Sequence, residues 1–204
     1  MKYGSHLLTD IYTFDSNISI SYVRFITVLA EANLMILTKN EILERINSQP
    51  PLVKDFIDLN KQLQPAGIDL TLRRVYRIEN IGRLGFTNKE RSIPQWVEIE
   101  FDKNDWLFLP SGYYIVQYNE VIHLPLDLLG IGKPRSSLLR MGATIFSAVW
   151  DPGYVGRGVG LLVVFNSSGI FLKKNCRILQ LCFFKLSQKI HEGYSGEYYG
   201  EGIT

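Results

Sequence analysis

The stretch PRSSLLRMGATIFSAVWDPGYVGRGVG, residues 134–160, gathers the side chains best suited to chemistry. Arg135, Ser136, Ser137 and Arg140 fall within six residues. Hydroxyls, turn N–H groups and flanking guanidiniums suit phosphate oxygens, because charge-assisted hydrogen bonds are shorter and stronger than neutral ones. Taken alone, these residues fit a solvated polar turn as well as an anion site. Asp151 tips the balance. It follows Trp150, precedes a Pro-Gly turn and has aliphatic strands on either side, so it reads as buried. An unpaired buried carboxylate is costly, so this one is expected to be hydrogen-bonded or functional. Beside a bound phosphate, such an acid can orient and deprotonate a water for attack on phosphorus.

Other chemistries lack their parts. A zinc deaminase needs a His or Cys next to a glutamate and a Pro-Cys-x-x-Cys. Here His6, His123 and His191 are isolated, and Cys176 and Cys182 sit six apart. The glycines of GRGVG suit a hairpin turn running into a strand, not a phosphate loop opening a helix. A serine hydrolase needs a histidine to take the proton from Ser136 or Ser137. His123 lies in an alternating strand pattern and reads as structural.

Composition narrows the class. The net charge of +2, with scattered basic residues, gives no support to a nucleic-acid partner. Two cysteines in an apolar run read as core thiols of a reduced, cytoplasmic protein. The apolar text ISISYVRFITVLAEANLMIL is broken by Arg24 and Glu31, so no membrane span is expected. The N-terminus has no small-residue cleavage site where a signal peptide needs one. With 204 residues, 46% of them hydrophobic, the chain can bury one sizeable core.

The elements that must position these residues are mostly strands. Residues 1–34 have no clear period and form an N-terminal extension of uncertain status. At Met35 the pattern changes to MILTKNEILERINSQP. Thr38 and Glu41 form a capping-box pattern, Ile42, Leu43 and Ile46 an apolar helical face, and Pro50 and Pro51 a stop. IDLTLRRVYRI, WVEIEF, WLFLPSGYYIVQYN and VIHLPLDLLGIG then alternate as strands between Gly, Pro and Asn turns. GVGLLVVFN and CRILQLCFFKL are nearly continuous apolar runs, as expected for strands covered on both faces. No βαβ rhythm occurs. The pattern predicts a mostly-β, distorted barrel or jelly-roll-like domain over 35–190, with one short N-terminal helix. The glycine- and tyrosine-rich tail, 191–204, packs poorly alone and is expected to be disordered or a flap that orders on a ligand.

AGIDL (66–70), PRSSL (134–138), DPGYVG (151–156) and RILQL (177–181) occur in the order of the motifs of the dUTPase and dCTP deaminase superfamily, which the chain resembles over residues 35–202. The tail YSGEYYGEG is similar to that family's nucleotide-covering segment, and MILTKNEILERI resembles the start of its archaeal, deaminase-like branch. The resemblance implies a β-clip barrel, a homotrimer with active sites shared between subunits, dUTP as substrate and Mg²⁺ as cofactor. It implies that Arg135, Ser136, Ser137 and Arg140 bind phosphates, with Gln180 reaching another. Asp151 would activate water, Tyr154 would pack on the deoxyribose, Tyr198 would cover the nucleotide, and Asp69 would hold the Mg²⁺ environment through water. The alternatives are a zinc-independent dCTP deaminase and a non-catalytic nucleotide-binding relative. The deaminase glutamate, however, falls on Leu161 or Val163, and neither can transfer a proton. The tail also departs from the deaminase-like pattern, with Glu197, Tyr199 and Glu201 in place of cationic or neutral residues.

Overall fold

The computed structural model describes residues 35–203, so the N-terminal extension lies outside the described residues. Helix α1, Lys39–Ile46, begins where Thr38 leaves helical geometry and closes a reciprocal cap. The Glu41 carboxylate accepts from the Thr38 N–H at 2.9 Å, and the Thr38 hydroxyl accepts from the Glu41 N–H at 3.5 Å. Ile42 and Ile46 are buried as expected, but Leu43 is partly exposed. One residue on from Ile42 is about 100° further round the helix, which takes Leu43 off the buried face. The helix is tied to the barrel by Lys185 on Glu41 at 2.7 Å and by Arg45 on Asp127 at 2.8 Å.

The strands are β1 (Val53–Lys54), β2 (Leu63–Gln64), β3 (Gly67–Glu79), β4 (Gln95–Ile99), β5 (Trp106–Leu109), β6 (Gly112–Tyr118), β7 (Val121–His123), β8 (Leu128–Pro134), β9 (Ala143–Phe146), β10 (Val155–Gly156), β11 (Val159–Val164), β12 (Ile170–Lys173) and β13 (Arg177–Lys185). The main sheet runs β8-β13-β3-β6-β11-β9, with β2 and β4 paired on β3. Its two end strands, β8 and β9, lie against each other, so the sheet curls into a nearly closed barrel. Small sheets β1-β7-β10 and β5-β12 complete the domain. The fold is mostly β with few helices, as the alternation predicts. Among the described residues there are, besides α1, two short α-helices, α2 (Leu59–Gln62) and α3 (Ser136–Arg140). No helix among the described residues is long and apolar enough to cross a membrane.

The two apolar runs are not covered on both faces within one chain. Along β11, Leu162 and Val164 are buried in the core, whereas Leu161 and Val163 are only half-buried. Leu161 pairs with Ile115 and Phe146, and Val163 with Tyr113 and Thr144, so these side chains share the outer face. Tyr113, Phe146 and nearby Phe165 are all exposed. Burial alternates along β11; polarity does not.

Candidate active site

Asp151 sits at the first position of a tight turn. Tyr154 N–H donates to the Asp151 carbonyl at 3.0 Å, Pro152 follows, and Gly153 takes φ +84°. Proline then a positive-φ glycine is the requirement of a type II turn. A Cβ at Gly153 would stand 2.8 Å from Gly193 Cα and 2.9 Å from Tyr194 N, so only glycine lets the tail reach this turn. The turn is fixed on its other side by Trp150, buried and bonded through both its N–H and its carbonyl to Gly130 at 2.9 Å.

The Asp151 side chain is exposed, contrary to the buried position expected from its neighbours. The turn ends the apolar run and carries its first residue out of the barrel wall. There Asp151 lines a cavity of about 460 Å³ together with Trp96, Trp150, Tyr154, Tyr194, Tyr198 and Glu201. Tyr154 is buried, its ring edge-on to Tyr194 with centroids 5.7 Å apart. Burial, then the nearby Glu201 and Tyr194, push its phenol up. Burial pushes the Glu201 carboxyl up as well. The cavity is therefore an aromatic slot carrying two carboxylates, one on the rigid turn and one on the tail.

The tail does not stay loose. It begins with Tyr194 N–H donating to the Pro152 carbonyl at 2.7 Å and ends as a short parallel extension of β10. Gly200 N–H donates to Val155, Arg157 N–H to Glu201 and Arg157 Nε to Gly202, at 2.7–2.8 Å. A segment too small to pack alone gains order by borrowing a strand edge and the guanidinium of Arg157.

The remaining predicted residues form a second group on β8, β13 and β3. Arg135 precedes the single turn of α3, which leaves Ser136 and Ser137 exposed and buries Leu138. Arg140 bonds back to the Ser136 carbonyl at 3.1 Å. Gln180, half-buried, pairs across β13 with Asp69 on one side and Lys133 on the other. None of these residues lines the cavity of the same chain.

Asp69 is 2% exposed, and its Oδ2 lies 2.9 Å from Arg135 Nε and 3.2 Å from an Arg177 nitrogen. Burial pushes its carboxyl up, against the pull of the two guanidiniums. Asp69 does not fit a magnesium-holding role: its carboxylate is shut from solvent and already faces two positive charges. Among the described residues no group of three or more His, Cys, Asp or Glu side chains gathers as a metal site.

Several residues of both groups escape a reading of the sequence. Arg177 lies inside RILQL, and the grip it shares with Arg135 on Asp69 has no signal beyond that motif. Glu201 is legible only as an unusual charge, and Ile93, in the loop before β4, and Trp96, on β4, reach the cavity with no local signal. Glu120 is fully buried, accepting from Thr71 N–H, Thr71 Oγ1 and Gln62 Nε2 at 2.6–2.9 Å. It fixes the centre of β3 and takes no part in the cavity. On β11, Leu161 and Val163 point outward, and only Val159 of that strand lines the cavity.

A family model described as dCTP deaminase-like matches residues 36–186. The probable deoxyuridine 5′-triphosphate nucleotidohydrolase of Methanosarcina acetivorans is 46% identical over 168 residues, covering 82% of this chain and 98% of that protein. A protein of the same description from Archaeoglobus fulgidus is 45% identical over 170 residues, covering 83% and 99%. The deoxyuridine 5′-triphosphate nucleotidohydrolase of Methanocaldococcus jannaschii is 41% identical over 150 residues, covering 72% and 94%. Among solved structures, the 2′-deoxycytidine 5′-triphosphate deaminase from Agrobacterium tumefaciens aligns with a TM-score of 0.58 at 22% identity. That alignment covers 74% of this chain and 49% of the other, so this chain spans about half its length, and the likeness is one of fold.

Proposed function

The chain belongs to the dCTP deaminase-like family, and from that premise we propose that it is a dUTP diphosphatase, hydrolysing dUTP to dUMP and pyrophosphate. One observation carries the reading: Asp151 stands exposed on a rigid turn at an aromatic slot whose wall includes buried Tyr154. The naming of relatives at 41–46% identity as dUTP nucleotidohydrolases supports the substrate. In the proposed reaction Asp151 aligns a water with the α-phosphorus and takes its proton. The bond from that phosphorus to the bridging oxygen breaks, and pyrophosphate leaves. Tyr154 packs on the deoxyribose and leaves no room for a 2′-hydroxyl, while Tyr198 covers the nucleotide from the tail.

Arg135, Ser136, Ser137, Arg140 and Gln180 hold the phosphates in this reading. Because they stand apart from the cavity of their own chain, we assign them to the cavity of a second copy in a homotrimer. The apolar outer face of β6, β9 and β11, with Tyr113, Phe146 and Phe165 exposed, supports burial against a neighbour. Magnesium enters the proposal only on the triphosphate, with Mg·dUTP as the substrate form. The free thiols of Cys176 and Cys182 suit a reducing cytoplasm.

The test is incubation with dUTP or dCTP in the presence of Mg²⁺, followed by chromatography of the products. Formation of dUMP and pyrophosphate from dUTP, with dCTP left intact, is expected. Release of ammonia from dCTP would instead establish the deaminase alternative, against the absence of a proton-transferring side chain at Leu161 and Val163.

A further inference from the structure

We infer that the loop joining β3 to β4, residues 80–94, is the clasp that holds the acidic tail over the cavity, with Arg91 as its positioning residue. The inference rests on the reading of this cavity as the dUTP site. The loop is built before it grips anything. Arg83 and Ser92 exchange backbone hydrogen bonds at 2.8 Å across its neck, and Thr87 caps a short 3₁₀ turn, Asn88–Glu90, through Glu90 at 2.9–3.0 Å. Arg91 projects from that frame toward the tail and is only 15% exposed at its side chain. Its guanidinium pairs with the Glu197 carboxylate and lies 5.4 Å from the Tyr198 ring centroid. Two residues further on, Ile93 joins Tyr198 in the cavity wall.

The tail is tethered at both ends by backbone contacts, at Tyr194 on the Asp151 turn and at Gly200–Gly202 on β10 and Arg157. Its middle is different. The hydrogen bonds of residues 195–199 recorded among the described residues stay within the tail, such as Tyr198 N–H to the Tyr194 hydroxyl and Tyr199 N–H to Gly196. Among the described residues, the ion pair and the cation–π contact that join that middle to the rest of the domain are both made by Arg91. An isolated surface ion pair contributes little, because water screens it and two long side chains must be ordered. Here one partly buried cation serves a carboxylate and an aromatic face together, and the π contact strengthens as water leaves.

Charge gives the clasp its purpose. Glu197 on a segment that closes over a triphosphate would repel the ligand, and a guanidinium beside it cancels that charge. Arg91 thus turns an unfavourable tail residue into the handle by which the tail is held. Opening the clasp frees Tyr198 and the cavity mouth for nucleotide exchange, and closing it returns Tyr198 to the wall.

The experiment measures hydrogen–deuterium exchange of residues 195–202 without nucleotide, alongside steady-state kinetics on dUTP. The variants are Arg91→Ala, Arg91→Glu, Glu197→Arg and the double swap Arg91→Glu/Glu197→Arg. Arg91→Ala is expected to speed exchange in that segment and raise KM about 5- to 10-fold with kcat within about twofold, a loss of tail-mediated binding and not of chemistry. The double swap is expected to restore slow exchange and low KM relative to either charge-reversed single variant. Unchanged tail exchange in Arg91→Ala overturns the clasp. Faster exchange with unchanged KM overturns its service to the substrate. If the unmutated protein leaves dUTP intact, the proposed function fails, while the exchange data still decide the clasp.

Discussion

The buried Asp69 carboxylate forms an ion pair with Arg135, its Oδ2 2.9 Å from Arg135 Nε, so the residue that opens α3 is held from beneath. The Arg135 backbone N–H is fixed as well, on the Ile178 carbonyl at 3.1 Å. Asp69→Asn keeps the shape but leaves Arg135 and Arg177 without their counter-charge. Breaking one side of a buried ion pair costs about 3–5 kcal/mol, and partial exposure of the arginines favours the lower end. The expected result is a lowered urea midpoint at unchanged slope, together with a raised KM for dUTP. A midpoint equal to that of the unmutated protein would show that the pair contributes nothing.

Glu41 links the N-terminal helix to β13 and sets a pH dependence. Its bond to Lys185, reinforced by the Thr38 cap, holds the carboxyl at about 2, well below the usual glutamate range. A depressed folded-state pKa stabilises the fold above the unfolded value near 4.5, and that stability is lost as pH falls toward 2. Glu41→Gln keeps an acceptor for Thr38 but loses the charge. It should cost about 0.5–1 kcal/mol at pH 7, since the pair is partly exposed to solvent, and the two proteins should converge by pH 2. Urea titrations at pH 7, 4 and 2 check this; a constant difference across the series would contradict it.

What could be read from the sequence was local. The Thr38–Glu41 cap and the alternating strands depend on residues within one turn or one strand, so their signals survive without the fold. In sequence Asp151 reads as buried, because tryptophan and aliphatic residues surround it. The Pro-Gly turn reverses that, carrying the carboxylate outward while Trp150 stays in. The contacts of Arg91 with Glu197 and of Arg177 with Asp69 join segments far apart in the chain, and no periodicity encodes them. The outer face of β11 shows the converse: its apolar residues were legible, but not what covers them.

The proposed homotrimer is tested at that face. Static light scattering should give about three times the 23.4 kDa chain mass at micromolar concentration. Phe146→Glu puts a charge on the outer face without entering the core, so it should give a folded monomer with little dUTP turnover. A monomeric unmutated protein with full turnover would contradict the shared site.

Sugar selection tests Tyr154. Tyr154→Phe keeps the ring against Tyr194 and should retain a strong preference for dUTP over UTP. Tyr154→Ala should narrow that preference mainly by weakening dUTP. It should also lower the melting temperature, because removing a buried aromatic ring costs about 3–5 kcal/mol. Equal turnover of dUTP and UTP by the unmutated protein would exclude this role.

Asp151 makes the sharpest prediction because its exposure separates chemistry from structure. Its backbone carbonyl, not its side chain, holds the turn through Tyr154 N–H, and Trp150 anchors the approach. Asp151→Asn therefore leaves the turn intact, and the melting temperature should stay within about 2 °C. Asparagine cannot take a proton from water, so turnover should fall by on the order of 10²-fold or more, as general-base losses do. Affinity for a non-hydrolysable dUTP analogue should hold or improve, since one negative charge near the phosphates is gone. Turnover, analogue affinity and melting temperature measured on the same variant distinguish the cases. Lost turnover with retained affinity and stability assigns the base to Asp151. Near-normal turnover would move the base elsewhere, with Glu201 the other carboxylate on the cavity wall.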